Sequence, residues 1–98
     1  MGAQLQRLPR REVRVRRNLN LVLVVKSENG EKEQTATTLD LAEHGLRVAT
    51  RLKLNEGQTV YAFSRQGRPQ FGCCRVVWAH QMAENRFSEA GLEVMKLP

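Results

Sequence analysis

The sequence predicts an all-β protein, a six-stranded antiparallel β-barrel. Six short stretches alternate apolar and polar residues or collect β-branched ones, and Gly, Asn or Pro separates them at near-regular spacing. In a chain of 98 residues, a flat sheet would leave exposed edges, and closure into a barrel protects them.

The first two predicted strands form a hairpin. Residues 18–26, NLNLVLVVK, gather an apolar face that consists of Leu19, Leu21, Leu23 and Val25. Asn29 and Gly30 follow, the pair that a tight type I′ turn prefers, because both of its central positions need positive φ. Residues 33–41, EQTATTLDL, alternate as the returning strand, and one face of it gathers Thr35, Thr37, Leu39 and Leu41.

Four more strands complete the predicted barrel. Residues 46–50, LRVAT, bury Leu46 and Val48, and residues 59–65, TVYAFSR, follow a turn at Gly57. Residues 71–80, FGCCRVVWAH, form a long apolar stretch, and residues 90–97, AGLEVMKL, form the last strand. The polar residues 81–89 are a loop or a single helical turn.

The positive charge is concentrated at the N-terminus. The net charge is +6, and residues 1–17 hold six arginines and one glutamate, a surplus of five. We therefore expect two parts, a flexible basic lead-in over 1–17 and a barrel over 18–98. One basic patch indicates an anionic partner bound at one place, with a solvated tail as the other interpretation. The sequence holds no apolar run long enough to cross a bilayer and no secretory signal, so we expect a cytoplasmic protein without membrane insertion.

The sequence contains no recognisable catalytic or metal-binding pattern. Neither His44 nor His80 belongs to a nucleophile motif, and the acidic residues form no acid/base pair. Cys73 and Cys74 are neighbours that would point to opposite faces of a strand, so we expect reduced thiols. A metal site of both cysteines with His80 matches no common zinc spacing. We expect neither an enzyme nor a cofactor.

Two short stretches have the chemistry of a ligand site. Arg10 and Arg14 form an RxxxR pair with Arg11 between them, and guanidinium groups bind phosphate oxygens or the O6/N7 edge of guanine in a bidentate way. In DLAEHG, residues 40–45, Asp40 would accept bonds from guanine N1–H and N2–H, and Gly45 would permit a close approach of the turn. The simpler interpretation is that Asp40 caps a turn and Gly45 supplies a positive φ.

Together, these stretches resemble the signature of the PilZ domain family. That signature has RxxxR just before the first strand, as at Arg10 and Arg14, and D/N-x-S-x-x-G at the end of the second, which DLAEHG matches at Asp40 and Gly45. RREVRV, TTLDLAEHGLRV, LKLNEGQTVYAF, CRVVWAH and AGLEV are similar to successive parts of the family pattern from about residue 10 to residue 95. The resemblance implies a six-stranded antiparallel barrel that binds the bacterial second messenger cyclic di-GMP.

The resemblance also assigns the site. It implies that Arg10, Arg11 and Arg14 bind phosphate and guanine, and that Asp40 and Gly45 lie on the barrel surface where a guanine rests. Ala42 takes the place of the motif serine, so that hydroxyl is missing. Trp78 offers a stacking face for a base, although its apolar neighbours also favour a place in the core or the barrel wall.

The expected function is that of a receptor or adaptor. Cyclic di-GMP would order the arginine-rich segment and alter the surface that a protein effector contacts. Two alternatives remain open. One is a PilZ-like interaction module that does not bind cyclic di-GMP, for which Ala42 is the evidence. The other is a basic barrel that binds nucleic acid. Proteins that bind single strands usually expose several aromatic residues for stacking, whereas this chain has only five, mostly at positions typical of a core.

Overall fold

The strands of the barrel follow the alternation of the sequence. The computed structural model describes residues 13–65, 70–82 and 87–95, and it contains seven strands. These are β1 (Val15–Arg16), β2 (Asn20–Ser27), β3 (Gly30–Ala42), β4 (Gly45–Thr50), β5 (Thr59–Ser64), β6 (Gly72–Gln81) and β7 (Ser88–Val94).

Six of the strands close into an antiparallel barrel. The order β3-β2-β5-β6-β7-β4 returns to its start through pairing of β3 with β4. The predicted fold is therefore confirmed, and the additional strand β1 pairs with β3 alone. Among the described residues no helix is long and apolar enough to cross a bilayer. The turn expected within 81–89 falls mainly on residues 83–86, which lie outside the described residues.

The barrel interior is filled by the apolar residues of alternate strand positions. Leu21, Leu23, Val48, Val60 and Ala62 are fully buried there. Leu19 and Val25 pack on the same cluster, so the predicted apolar face of β2 is confirmed.

The β2–β3 hairpin turns one residue earlier than the sequence indicated. Ser27 pairs with Gly30, so Glu28 and Asn29 are the two residues of the turn. Gly30 opens β3 with a φ of 112°, a value that favours glycine. Positive φ is therefore needed at this glycine, which lies after the two turn residues.

The predicted face of β3 was wrong, because the strand carries a β-bulge. Ala36 and Thr38 face the core, whereas Thr35 and Thr37 alternate with them and face outward. The pairing with β4 shifts between Thr38 and Asp40, which adds one residue to β3. Beyond that point Leu41 packs against the core. A one-residue shift exchanges the faces of a strand, since side chains alternate with period two.

Candidate functional site

The bulge in β3 puts Asp40 on the outer wall of the barrel. Without the extra residue, Asp40 would face the interior together with Thr38. With it, Asp40 pairs with Arg47 of β4, whose neighbours Leu46 and Val48 point inward. Directly opposite residues of an antiparallel pair share a face, so Asp40 and Arg47 lie together outside.

The Asp40 carboxylate lies between two arginines. Arg14 donates from Nε to Oδ1 at 3.0 Å and brings Nη2 to 2.7 Å of the same oxygen. Arg47 Nε lies 3.0 Å from Oδ2. The Asp40 side chain is only 11% exposed, whereas that of Arg14 is 47% exposed. The cluster therefore has one positive charge in excess, and Arg14 is the more exposed of the two arginines, since 38% of the Arg47 side chain is exposed.

Arg14 is held at this place by the short strand β1. Val15 pairs with Leu41 and Arg16 with Asp40. At these residues β1 lies on the edge of β3 opposite β4, the same edge that β2 occupies further along. Residues 17–19, between β1 and β2, interrupt the strand pairing along this edge of β3 next to Thr38.

The Thr38 side chain bonds the segment 17–19 to the barrel. Its hydroxyl donates to the carbonyl of Arg17 and accepts from the Leu19 N–H at 2.7 Å. Asn18 Nδ2 donates to the Thr38 carbonyl at 2.7 Å. Thr38 is fully buried, so these bonds satisfy backbone groups that are cut off from the regular ladder.

A second bulge, in β6, turns Trp78 outward. The pairing of β6 with β7 shifts between Val76 and Trp78, so Val77 is the extra residue. Val77 and Trp78 are both exposed, Trp78 by 40%. The indole lies over Gly91, because a Cβ there would come within 2.2 Å of Trp78 Nε1. Trp78 therefore lies on the barrel wall with one part free, and it is not a core residue.

A groove of about 240 Å³ brings three of the predicted residues together. Arg14, Gly45 and Trp78 all line it, beside His44 and Glu93. Gly45 does not have a positive φ. It must be small, because a Cβ would lie 2.8 Å from the Leu92 carbonyl oxygen. The close-approach interpretation of Gly45 therefore holds, and the positive-φ interpretation was wrong.

The other predicted site residues lie next to the groove or outside the described chain. Asp40 does not line the groove and is reached through Arg14. Ala42 ends β3 and pairs with Gly45, with a methyl group where the motif has a hydroxyl. Arg10 and Arg11 lie outside the described residues. The boundary expected at residue 17 stays a prediction, although Val15 and Arg16 already pair with the sheet.

The sequence interpretation missed Arg47. The signal was present, because a two-residue turn at Glu43 and His44 places Asp40 opposite Arg47 in the hairpin. In the strand GLRVAT, Leu46 and Val48 were expected inside, which leaves Arg47 outside. The missing step was the bulge, which moves Asp40 to that same side.

Phe71 packs against the core cluster, but the other described aromatic residues do not, which corrects the expectation from sequence that most of them lie in the core. Phe63 and Trp78 are exposed, and Tyr61, Phe71 and Phe87 are half-buried. Phe63 lies at the end of β5 level with Phe71, seven residues along β6 from Trp78. At about 3.3 Å per residue this is roughly 23 Å, so the two exposed rings do not form one stacking surface.

Comparison with known proteins agrees with the geometry of the fold. The family model of the PilZ domain matches residues 8–98. No curated protein and no solved structure matches the chain.

Proposed function

The chain belongs to the PilZ domain family, a family of cyclic di-GMP receptors, and on this premise we propose that it binds cyclic di-GMP and passes the signal to a protein effector. The observation that supports the proposal is the groove in which Arg14, Gly45 and Trp78 meet, with Asp40 behind Arg14. Arg14 offers a cation and Trp78 an aromatic face to one ligand, and Gly45 allows the close approach of β4 to β7 that shapes the groove between them.

Each part of the ligand has a complementary group. The Arg14 fork binds a phosphate, and its exposure allows it to turn from Asp40 to the ligand. Once free, Asp40 Oδ1 accepts from the guanine edge. The free face of Trp78 stacks on a base, an interaction worth about 1–3 kcal/mol per base.

The size of the groove indicates how much of the ligand it holds. Sites for whole drug-sized molecules enclose about 300–1,000 Å³, and this groove encloses about 240 Å³. It therefore holds one guanine, and the rest of the dinucleotide extends toward the N-terminal arginines. Arg10 and Arg11 are proposed to bind there, as the RxxxR motif implies.

The output is a change of surface. Cyclic di-GMP neutralises the arginines of residues 1–17 and draws that segment across the barrel wall. Val77, 46% exposed, lines the groove, and Val15, 53% exposed, directly follows Arg14, which also lines it. A segment drawn over this wall covers its apolar side chains or adds new ones. An effector protein then binds one of the two resulting surfaces and not the other.

The test is isothermal titration of the chain with cyclic di-GMP, with GMP as a ligand control. We expect binding that Arg14→Ala abolishes with no loss of fold, because Arg14 is half exposed and Arg47 still compensates the buried Asp40 carboxylate. Arg16→Ala removes the same charge two residues away and should retain most of the affinity.

The absence of binding in the wild-type protein would favour a PilZ-like interaction module. Ala42 is the observation behind that candidate, because a lost hydrogen bond weakens binding by roughly two- to hundredfold. An Ala42→Ser variant separates the two cases, since it should restore binding if the hydroxyl alone is missing. Binding of single-stranded DNA that falls steeply with salt would indicate the nucleic-acid alternative.

A further inference from the structure

The two arginines that hold Asp40 differ in how easily each can leave. Arg14 precedes a strand of two residues that pairs with β3 alone, and nearly half of its side chain is exposed. Arg47 lies within β4, which pairs with β3 on one side and with β7 on the other. The Arg47 side chain is 38% exposed, but its Nε is buried. Arg14 is therefore the exchangeable partner of Asp40, and Arg47 is the fixed one.

The contact of Arg47 is not yet a hydrogen bond. Its Nε lies 3.0 Å from Asp40 Oδ2, but the N–H is not aligned with any acceptor and is left without a hydrogen-bond partner. A buried donor without an acceptor is unfavourable. Arg14 Nε and Nη2 both contact Oδ1, so this oxygen is held on the Arg14 side of the cluster.

We propose that Arg47 is a positioning residue for the dinucleotide site: it holds Asp40 in place, and keeps its charge compensated, when Arg14 turns to the ligand. The inference rests on the proposed function, since it describes how the ligand-binding form is reached. A buried carboxylate that loses its last cation is strongly destabilised. Arg47 prevents this, because it remains when Arg14 leaves.

The release of Arg14 also improves the contact of Arg47. Once Oδ1 is free, the carboxylate can rotate until Oδ2 accepts the Arg47 N–H, and the orphaned donor gains its bond. Oδ1 then faces the groove, where it accepts from guanine. The exchange thus replaces one arginine bond by another and leaves one oxygen for the base. Arg47 therefore contributes to the preference for guanine without contacting the ligand.

The experiment measures the affinity for cyclic di-GMP in four variants of the full chain. These are Arg47→Met, Arg47→Lys, Asp40→Asn and the double variant of Arg47→Met with Asp40→Asn. Asparagine occupies the same place in the D/N-x-S-x-x-G motif, so Asp40→Asn should keep measurable binding. The matched control is Arg51→Met, which removes the same charge directly after β4. Urea denaturation establishes that each variant is folded.

We expect Arg47→Met to weaken binding by roughly ten- to hundredfold, the effect of one charge-assisted hydrogen bond. Arg51→Met should stay within about twofold of the wild type, and Arg47→Lys should recover part of the loss. In the Asp40→Asn background, Arg47→Met should have no further effect, because both changes remove the same interaction. The preference for cyclic di-GMP over cyclic di-AMP should fall in Arg47→Met as it does in Asp40→Asn.

Three results would overturn the inference in different ways. Equal affinities of Arg47→Met and Arg51→Met would show that the Arg47 charge acts only through the overall electrostatic field of the protein. Additive losses in the double variant would show that Arg47 contacts the ligand directly. In both cases the wild type still binds, and the proposed function stands. If the wild type does not bind, the proposed function fails and the inference fails with it.

Discussion

The two β-bulges, in β3 and β6, both turn a side chain outward, but they are stabilised by different interactions. Each adds one residue and moves a side chain to the outer wall, Asp40 in β3 and Trp78 in β6. The bulge in β3 is held by polar contacts, with Thr38 bonded to the displaced backbone and two arginines on Asp40. The bulge in β6 is held by packing, with the indole over Gly91.

The difference explains what each bulge brings to the groove. A buried carboxylate has to be surrounded by donors, so the β3 bulge fixes charges at defined places. An aromatic ring needs only a flat neighbour, so the β6 bulge offers a surface that tolerates small shifts of the base. We therefore expect changes at the β3 bulge to affect stability and binding together, and changes at the β6 bulge to affect mainly binding.

The largest expected effect is that of Thr38→Val. The substitution keeps the shape but removes the hydroxyl, and it leaves the Leu19 N–H and the Arg17 carbonyl without that partner. We expect a loss of about 1–3 kcal/mol in the free energy of unfolding, measured by urea denaturation. Binding of cyclic di-GMP should weaken as well, because β1 and Arg14 lose their anchor.

Thr50→Val is the matched control for this prediction. Thr50 is equally buried, and its hydroxyl donates to the Thr35 carbonyl and accepts from the Leu52 N–H. The loss of stability should be similar, but the affinity of the folded protein should not change. If both variants bound cyclic di-GMP equally well, Thr38 would have no part in positioning Arg14.

Gly91→Ala should affect binding and not stability, because the change is confined to the β6 bulge. The added Cβ collides with Trp78 Nε1, and the partly exposed indole can swing away. Trp78 is the single tryptophan of the chain, so its fluorescence emission reports the displacement directly. We expect a shifted spectrum and binding weakened by about 1–3 kcal/mol, the value of one stacked base. An unchanged emission spectrum together with wild-type affinity would contradict the packing of the Trp78 indole over Gly91.

The smallest effect concerns the regular part of β6, where neighbouring side chains alternate. Cys74 is buried and Cys73 faces outward, both as free thiols. Burial, with a smaller contribution from the nearby Cys73, raises the pKa of Cys74 from 9.0 to about 12. We expect iodoacetamide to alkylate one thiol per native chain near pH 8, and the second only after unfolding.

The same shift gives a dependence of stability on pH. In the unfolded chain the Cys74 thiol ionises from about pH 9, whereas in the folded chain its pKa is about 12. The unfolded state therefore loses its proton first, and stability should fall as pH rises through this range. Cys74→Ala should remove that part of the alkaline slope in urea denaturation curves. Rapid double alkylation of the native protein would contradict the burial of Cys74.

Much of the fold followed from local patterns that the structure confirms. The apolar alternation of β2 predicted its inner face, because nothing in that strand interrupts the period of two. In β3 the same reasoning failed, since the apparent face of Thr35 and Leu41 is split by the bulge. For Trp78 the sequence left open a stacking face or a place in the core or the barrel wall, and the structure decides against the core because a bulge turns both Val77 and Trp78 outward.

The sequence by itself determined the number of the barrel strands, where they lie along the chain, the family, and the residue types of the candidate site. It did so because alternation, turn residues and motif spacing are local properties of the chain. Only the tertiary structure decided which faces Asp40 and Trp78 occupy and that Arg47 meets Asp40. Those outcomes depend on one-residue shifts in pairing between strands, and the register is fixed by contacts across the barrel that no local pattern contains.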